Sequence, residues 1–211
     1  MPLSKIEFTD DGGWALWHIT ETHEALAQAV TEKCPIDITA SKKQLEWLAS
    51  RLLVQHLTEK AGLTFHGIYK DEFGKPFLTN LNAHISLSHS YPYVAAQLNF
   101  ATSVGIDIEQ PSAKIMRVAH RVFDETEQVD AGSDKVKNCV YWCAKEALYK
   151  WYGKRGLSFA LNLKVTPFTL LQQGEILGSV IMTDVEIEIP LYYHIEQELV
   201  VVVTNYRRES S

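Results

Sequence analysis

Residues 104–109, Val104-Gly105-Ile106-Asp107-Ile108-Glu109, and the downstream run Trp142-Cys143-Ala144-Lys145-Glu146-Ala147-Leu148-Tyr149-Lys150 organise the reading of this chain. In the first stretch Val104, Ile106 and Ile108 alternate with Asp107 and Glu109, the pattern of a strand with one apolar and one acidic face. Residues i and i+2 of a strand stand roughly 6.5 to 7 Å apart on one face, so the two carboxylates are neighbours. They repel unless positive charge lies between them, and a hard divalent cation bound through oxygens meets that need. An isolated Asp-x-Glu also suits an exposed strand end. The second stretch belongs to a helix expected over Lys135 to Tyr152, with Cys139, Trp142, Cys143, Ala147 and Trp151 as its apolar stripe. Glu146 and Lys150 fall on that stripe. An i,i+4 ion pair is worth only about 0.2–0.5 kcal/mol on a helix surface, too little to explain two charges among Trp, Cys and Ala. A third carboxylate for the cation, with the lysine left for a phosphate, accounts for the placement.

Working outward, each half of the chain shows one strand, then helix, then several short strands. In the first half a strand is expected at Trp14 to Ile19, a helix from Thr20 as N-cap to about Val30, and a long helix from Ser41 to the Gly62 stop. Short strands follow at Phe65 to Tyr69, His84 to Leu87 and Val94 to Phe100, separated by Gly74, Pro76, Asn80, Asn82 and Pro92. In the second half the strand at Val104 to Glu109 is followed by helical segments from about Lys114 and the helix from Lys135. Strands are then expected at Leu163 to Val165, Ile176 to Ile181, Val185 to Ile189, Leu191 to Glu196 and Leu199 to Tyr206. The shared order predicts an α+β fold of two similar subdomains, 1–103 and 104–211, each a mainly antiparallel sheet packed with a long helix and related by a pseudo-twofold. No Pro- or Gly-rich linker marks the join near Ala101 to Ser103.

Composition narrows the function. The 211 residues are 46% hydrophobic, 10% aromatic and 22% charged, enough apolar surface to fold. No run of about 18 uncharged apolar residues is present and Met1 to Asp10 lacks a signal-peptide pattern, so no membrane partner and a cytoplasmic location are expected. Cys34, Cys139 and Cys143 are too few and too scattered for a disulfide framework and read as small hydrophobes. The net charge of −6 argues against a nucleic-acid partner. It does not argue against phosphate: residues 135–155 carry six Lys or Arg against Glu146 alone, while residues 175–198 carry six acids and no Lys or Arg.

In His84-Ile85-Ser86-Leu87-Ser88-His89-Ser90-Tyr91-Pro92 the strand brings His89 to its end beside Ser88 and Ser90, where the imidazole can donate to an anionic oxygen; a structural histidine is the plainer alternative. Zinc spacings, GxxxxGK[ST] and a strand-to-helix GxGxxG are absent from the sequence.

Taken together, these motifs resemble the 4′-phosphopantetheinyl transferases, in particular the Sfp type, a single chain of two similar halves. The resemblance rests on Gly105-Ile106-Asp107-Ile108-Glu109, on Trp142 through Lys150, on Gly74-Lys75-Pro76, Ser88-His89-Ser90 and Phe123-Asp124-Glu125-Thr126-Glu127, and on the loop Gly153 to Phe159. It implies transfer of the phosphopantetheine arm of coenzyme A to a serine of an acyl or peptidyl carrier protein, releasing adenosine 3′,5′-bisphosphate, in fatty-acid, polyketide or non-ribosomal peptide synthesis. By the same resemblance Asp107, Glu109 and Glu146 would hold Mg²⁺, Lys145, Lys150 and His89 would face the pyrophosphate, and Glu127 would be the general base, with Glu125 the alternative because Asp124 replaces the family's small hydroxyl residue. Lys75, with Ser88 and Lys42, Lys43 or Arg51 of the first long helix, would bind the 3′-phosphate and adenine side; a solvated helix start is the other reading of Lys42 and Lys43. A two-half chain completes its site alone, so a monomer is expected. The competing functions are a non-catalytic coenzyme A or carrier-protein binding module and another Mg²⁺-dependent pyrophosphate-cleaving transferase.

Overall fold

The computed structural model describes residues 3–206, and Cα packing divides the chain into two compact units, Met1–Ser103 and Val104–Ser211. In the first unit β1 (Leu3–Thr9) and β2 (Gly12–His18) form a hairpin, followed by α1 (His23–Ala29), α2 (Ser41–Lys60), β3 (Ile68–Lys70), β4 (Pro76–Leu78), β5 (His84–Ser90) and β6 (Tyr93–Asn99). The strands make one antiparallel sheet in the order β1-β2-β6-β5-β4-β3. The second unit runs β7 (Ile106–Glu109), α3 (Ala113–Val122), α4 (Glu125–Ala131), α5 (Lys135–Tyr152), α6 (Phe159–Asn162), β8 (Leu163–Val165), β9 (Gln173–Met182), β10 (Val185–Glu196) and β11 (Leu199–Thr204), with sheet order β7-β11-β10-β9-β8.

With β1 set aside, the two orders are one topology. A lead strand (β2 or β7) is followed by helices, then by four meandering strands whose last (β6 or β11) returns beside the lead strand. The expected α+β fold with two antiparallel sheets and a long helix on each is what the chain adopts. In the first unit α2 buries Leu48, Leu52, Leu53 and Leu57 against Trp17, Ile85, Val94, Ala96 and Leu98. In the second, α5 carries Cys139, Val140, Cys143, Ala144, Ala147 and Leu148 into a core with Leu163, Val180, Leu191, Val200 and Val202. Burying a side chain of the Leu or Val class contributes about 1.5–3 kcal/mol, so each helix is held mainly by its sheet rather than by its own propensity.

Several local expectations shift. Thr22, not Thr20, caps α1 by accepting from the Ala25 amide at 3.3 Å. The strands β1 and β4 are additional to the expected elements. The two strands expected around Pro190 are one continuous β10. Pro190 lies just beyond the last β10–β11 pair, Leu191 with Thr204, so its missing N–H breaks no bond of that ladder, and its carbonyl accepts from the Asn205 amide at 2.9 Å. No helix among the described residues is long and apolar enough to cross a membrane.

Candidate active site

The carboxylate strand and the lysine helix meet inside the second unit. Two devices set α5: Asp134 caps it by accepting from the Val136 and Lys137 amides at 2.8 and 3.0 Å, and Gly153 ends it in the left-handed conformation at φ 71°. The strand β7 is an edge strand hydrogen-bonded to β11, with Asp107 opposite Val202 and Glu109 opposite Val200. Gly105, just before it, lets strand and helix touch. A Cβ there would stand 1.9 Å from the Ala147 carbonyl oxygen, so only glycine permits this approach. The Gly105 amide donates to Thr204 Oγ1 at 2.8 Å, and its carbonyl accepts from the Thr204 amide at 2.9 Å.

Held this close, the charged side chains of the two elements act on one another. Lys150 donates to the Ile106 carbonyl and to Asp107 Oδ1, both at 2.8 Å, and Asp107 is buried. Burial, and then the negative charge of Asp107, push the Glu146 carboxyl up to about 7, with Glu109 adding to the rise and Lys150 opposing it. Asp107, Glu109 and Glu146 therefore share one field. Among the described residues no group of three or more His, Cys, Asp or Glu is arranged to hold a metal ion; the cation in contact with Asp107 is the Lys150 ammonium. Glu146 and Lys150 are half-buried beside an apolar surface wider than the expected stripe, because Val140, Tyr141, Ala144 and Leu148 are buried as well.

Two residues expected at the chemistry lie inside the protein instead. Lys145 and Glu127 form an ion pair at 2.6 Å with both side chains 0% exposed. The Lys145 ammonium also donates to the Val122 carbonyl at 2.8 Å and the Phe159 carbonyl at 2.9 Å. Glu127 accepts from the Val165 amide at 2.9 Å and from the Asp124 amide at 2.8 Å, while Asp124 accepts from the Glu127 amide at 2.9 Å. Asp124 and Glu127 thus form a capping box that starts α4. Burial pushes Glu127 up and Lys145 down, and their contact acts against both shifts. The Lys145 ammonium thus has three partners inside the protein, and Glu127 is enclosed with it. Of the two candidate bases Glu125 is the exposed one. The Asp124-x-x-Glu127 spacing is the sequence signal that marks the cap.

In the first unit His89 stands at the end of β5, 61% exposed, with Nδ1 3.4 Å from Glu46 Oε2. Ser88 is buried. Lys43 is exposed near the start of α2, and the neighbouring Lys42 ammonium lies 4.9 Å from the Tyr91 ring centroid. Lys75 sits in a turn built by Asp71, whose Oδ1 accepts from the Phe73 and Lys75 amides at 2.9 and 2.8 Å. Its half-buried ammonium donates to Ser103 Oγ at 2.6 Å, and burial lowers its proton affinity. Arg51 is nearly enclosed, 3.5 Å from Glu32 and stacked 4.3 Å over Trp47. Of the cysteines, Cys139 and Cys143 are buried and Cys34 is half-buried.

The clamp of β7 on α5 falls within a recognisable stretch. Residues 103–204 match the 4′-phosphopantetheinyl transferase superfamily. That match covers just under half of the chain. In addition, 98 residues are 34% identical to the 4′-phosphopantetheinyl transferase gsp of Aneurinibacillus migulanus, over 44% of this chain and 40% of that relative. The similarity therefore spans well under two thirds of the curated relative's length. The superfamily stretch contains Asp107, Glu109, Glu146, Lys150 and the Glu127–Lys145 pair, and none of the first-unit residues Lys43, Arg51, Lys75, Ser88 and His89.

Proposed function

We propose that the protein transfers the 4′-phosphopantetheine arm of coenzyme A to a serine of an acyl or peptidyl carrier protein, in the manner of the Sfp-type transferases and with Mg²⁺. The observation that carries this reading is the coincidence of the superfamily match with the Gly105 clamp, which gathers three hard oxygen donors into one field. Glu146 is raised first by burial and then by the charges of Asp107 and Glu109, and a divalent ion with oxygen ligands would relieve that repulsion. Asp107, Glu109 and Glu146 would hold the ion, which would supply charge neutralisation at the pyrophosphate.

In the reaction the serine oxygen attacks the phosphorus bearing the pantetheine arm. The bond from that phosphorus to the bridging oxygen breaks, and adenosine 3′,5′-bisphosphate leaves with the electron pair. Lys150 is assigned to the charge that grows on the leaving oxygen, where fixed positive charge stabilises the transition state. A base drawn from the 124–127 segment is Glu125, the exposed carboxylate, rather than Glu127. By the resemblance, Lys43, Arg51, Lys75, Ser88 and His89 are assigned to coenzyme A. We place the activity in the cytoplasm and in a monomer.

Intact-mass measurement of a panel of apo carrier proteins after incubation with the protein, coenzyme A and Mg²⁺ tests this. Addition of one phosphopantetheine to at least one carrier, abolished by Asp107→Ala, is expected. Folded protein that binds coenzyme A yet modifies no carrier refutes transfer and leaves a binding module.

A further inference from the structure

The enclosed Glu127–Lys145 pair belongs to no step above, yet both of its side chains are 0% exposed and bonded to several elements of the second unit. It ties together the last residue of α3 (Val122), the cap and first turn of α4 (Asp124 and Glu127), α5 (Lys145), the first residue of α6 (Phe159) and β8 (Val165). Lys145 immediately precedes Glu146. Successive residues of a helix are about 100° apart around its axis, so a contact that fixes the direction of residue 145 fixes that of residue 146 as well. On the other flank, Ala147 bears the carbonyl against which Gly105 packs. Gly105 touches α5 on the Ala147 flank, and the ion pair holds the Lys145 side chain to α3, α4 and α6.

We propose that Glu127 and Lys145 are positioning residues that lock the rotation of α5, so that Glu146 and Lys150 are presented to β7 at a fixed angle. The functional consequence rests on the reading of Glu146 as a metal ligand; the rotational lock does not. A carboxylate about 6 Å from a helix axis moves by about 1.5 Å when the helix turns by about 15°. Productive sites tolerate about 0.5 Å and 10–20°, and loss of a partner behind a metal ligand typically costs about 10–100-fold in metal affinity or activity. A free rotation of that size is therefore enough to disable the site without touching it.

The informative variant is the double replacement Glu127→Gln with Lys145→Met. Glu127→Gln alone strands an ammonium in a fully enclosed position and risks unfolding, whereas the double variant removes both charges together. Two readouts are taken on native and variant protein. Crystal structures are expected to show α5 turned and the Glu146 carboxylate displaced by about 1–2 Å. Mn²⁺ binding, followed by water-proton relaxation, is expected to weaken about 10-fold or more, with kcat for carrier modification down about 10–100-fold and KM for the carrier unchanged. An unmoved α5 overturns the lock. A native Mn²⁺ affinity, with kcat lost together with the acidic limb of its pH profile, also overturns it, because that is the signature of Glu127 acting as the base. If the native protein modifies no carrier, the transferase reading fails, and the displacement of α5 still decides the positioning.

Discussion

Replacing Gly105 by alanine tests whether the contact between β7 and α5 builds the site. The new Cβ would lie 1.9 Å from the Ala147 oxygen and 2.8 Å from both the Ala147 carbonyl carbon and the Trp151 nitrogen, all backbone atoms that no rotamer change can move. Ordinary contact begins near 3.4 Å, so strand and helix must part by about 1.5 Å at this point. Overpacking of a core costs about 1–3 kcal/mol, and a clash with backbone on both sides belongs at the upper end. The same separation carries the Ile106 carbonyl and Asp107 away from the Lys150 ammonium, stretching two bonds of 2.8 Å beyond hydrogen-bonding range. A loss of about 3 kcal/mol is expected in guanidinium unfolding followed by the fluorescence of Trp142 and Trp151, together with loss of carrier modification. Gly174→Ala is the comparison: the atoms nearest its Cβ belong to the Tyr193 side chain, at 3.0–3.2 Å, a tight side-chain contact rather than a backbone clash, and a smaller cost than for Gly105→Ala is expected. If Gly105→Ala costs no more than Gly174→Ala and leaves activity intact, the clamp does not set the site.

Three further substitutions test the electrostatics and the capping. Glu146 has its carboxyl raised from 4.5 to about 7, so the folded state holds a proton that the unfolded chain has released, and stability falls as pH rises between about 4.5 and 7. Glu146→Gln, studied in chelator, is expected to match the native protein near pH 4 and exceed its stability by up to about 3 kcal/mol above pH 7; equal stability at pH 8 refutes the raised Glu146 carboxyl. His84 is held below its usual range by burial first and by the Lys75 charge second, so Lys75→Met is expected to raise its titration midpoint in imidazole NMR, and an unchanged or lower midpoint separates the two residues. Asp124→Ala removes the cap of α4 and is expected to lose about 0.5–2 kcal/mol in thermal unfolding, a value near zero showing that the Glu127 side chain holds the turn alone.

The elements that a linear reading could reach are those written in local periodicity. The bounds of α5 at Lys135 and Tyr152 and of β8 at Leu163 and Val165 are as expected, because cap, spacing and turn residues are all neighbours in sequence. The strand-helix-strands order of each half likewise followed from alternation and breakers. The strand β1, by contrast, carries only a short alternation, Lys5-Ile6-Glu7-Phe8-Thr9, and a single short strand gains stability only by pairing, here with β2. The continuity of β10 through Pro190 depends on where β11 happens to end.

The site divides along the same line. That Asp107 and Glu109 share a face is dictated by the pleat of a strand, and that Glu146 and Lys150 stand one turn apart is dictated by the pitch of a helix. Which charges face solvent is not local. Lys145 and Glu146 are adjacent in a helix of mixed charge, and only the convergence of Val122, Phe159 and Glu127 encloses the lysine while leaving its neighbour half-buried. The same holds for Gly105: the sequence shows a glycine before a strand, and the reason for it is a carbonyl of Ala147, far along the chain. Periodicity carries the direction of a side chain relative to its own backbone. Burial, and with it the proton affinity and the role of a charged group, is settled by what other segments bring to the same place.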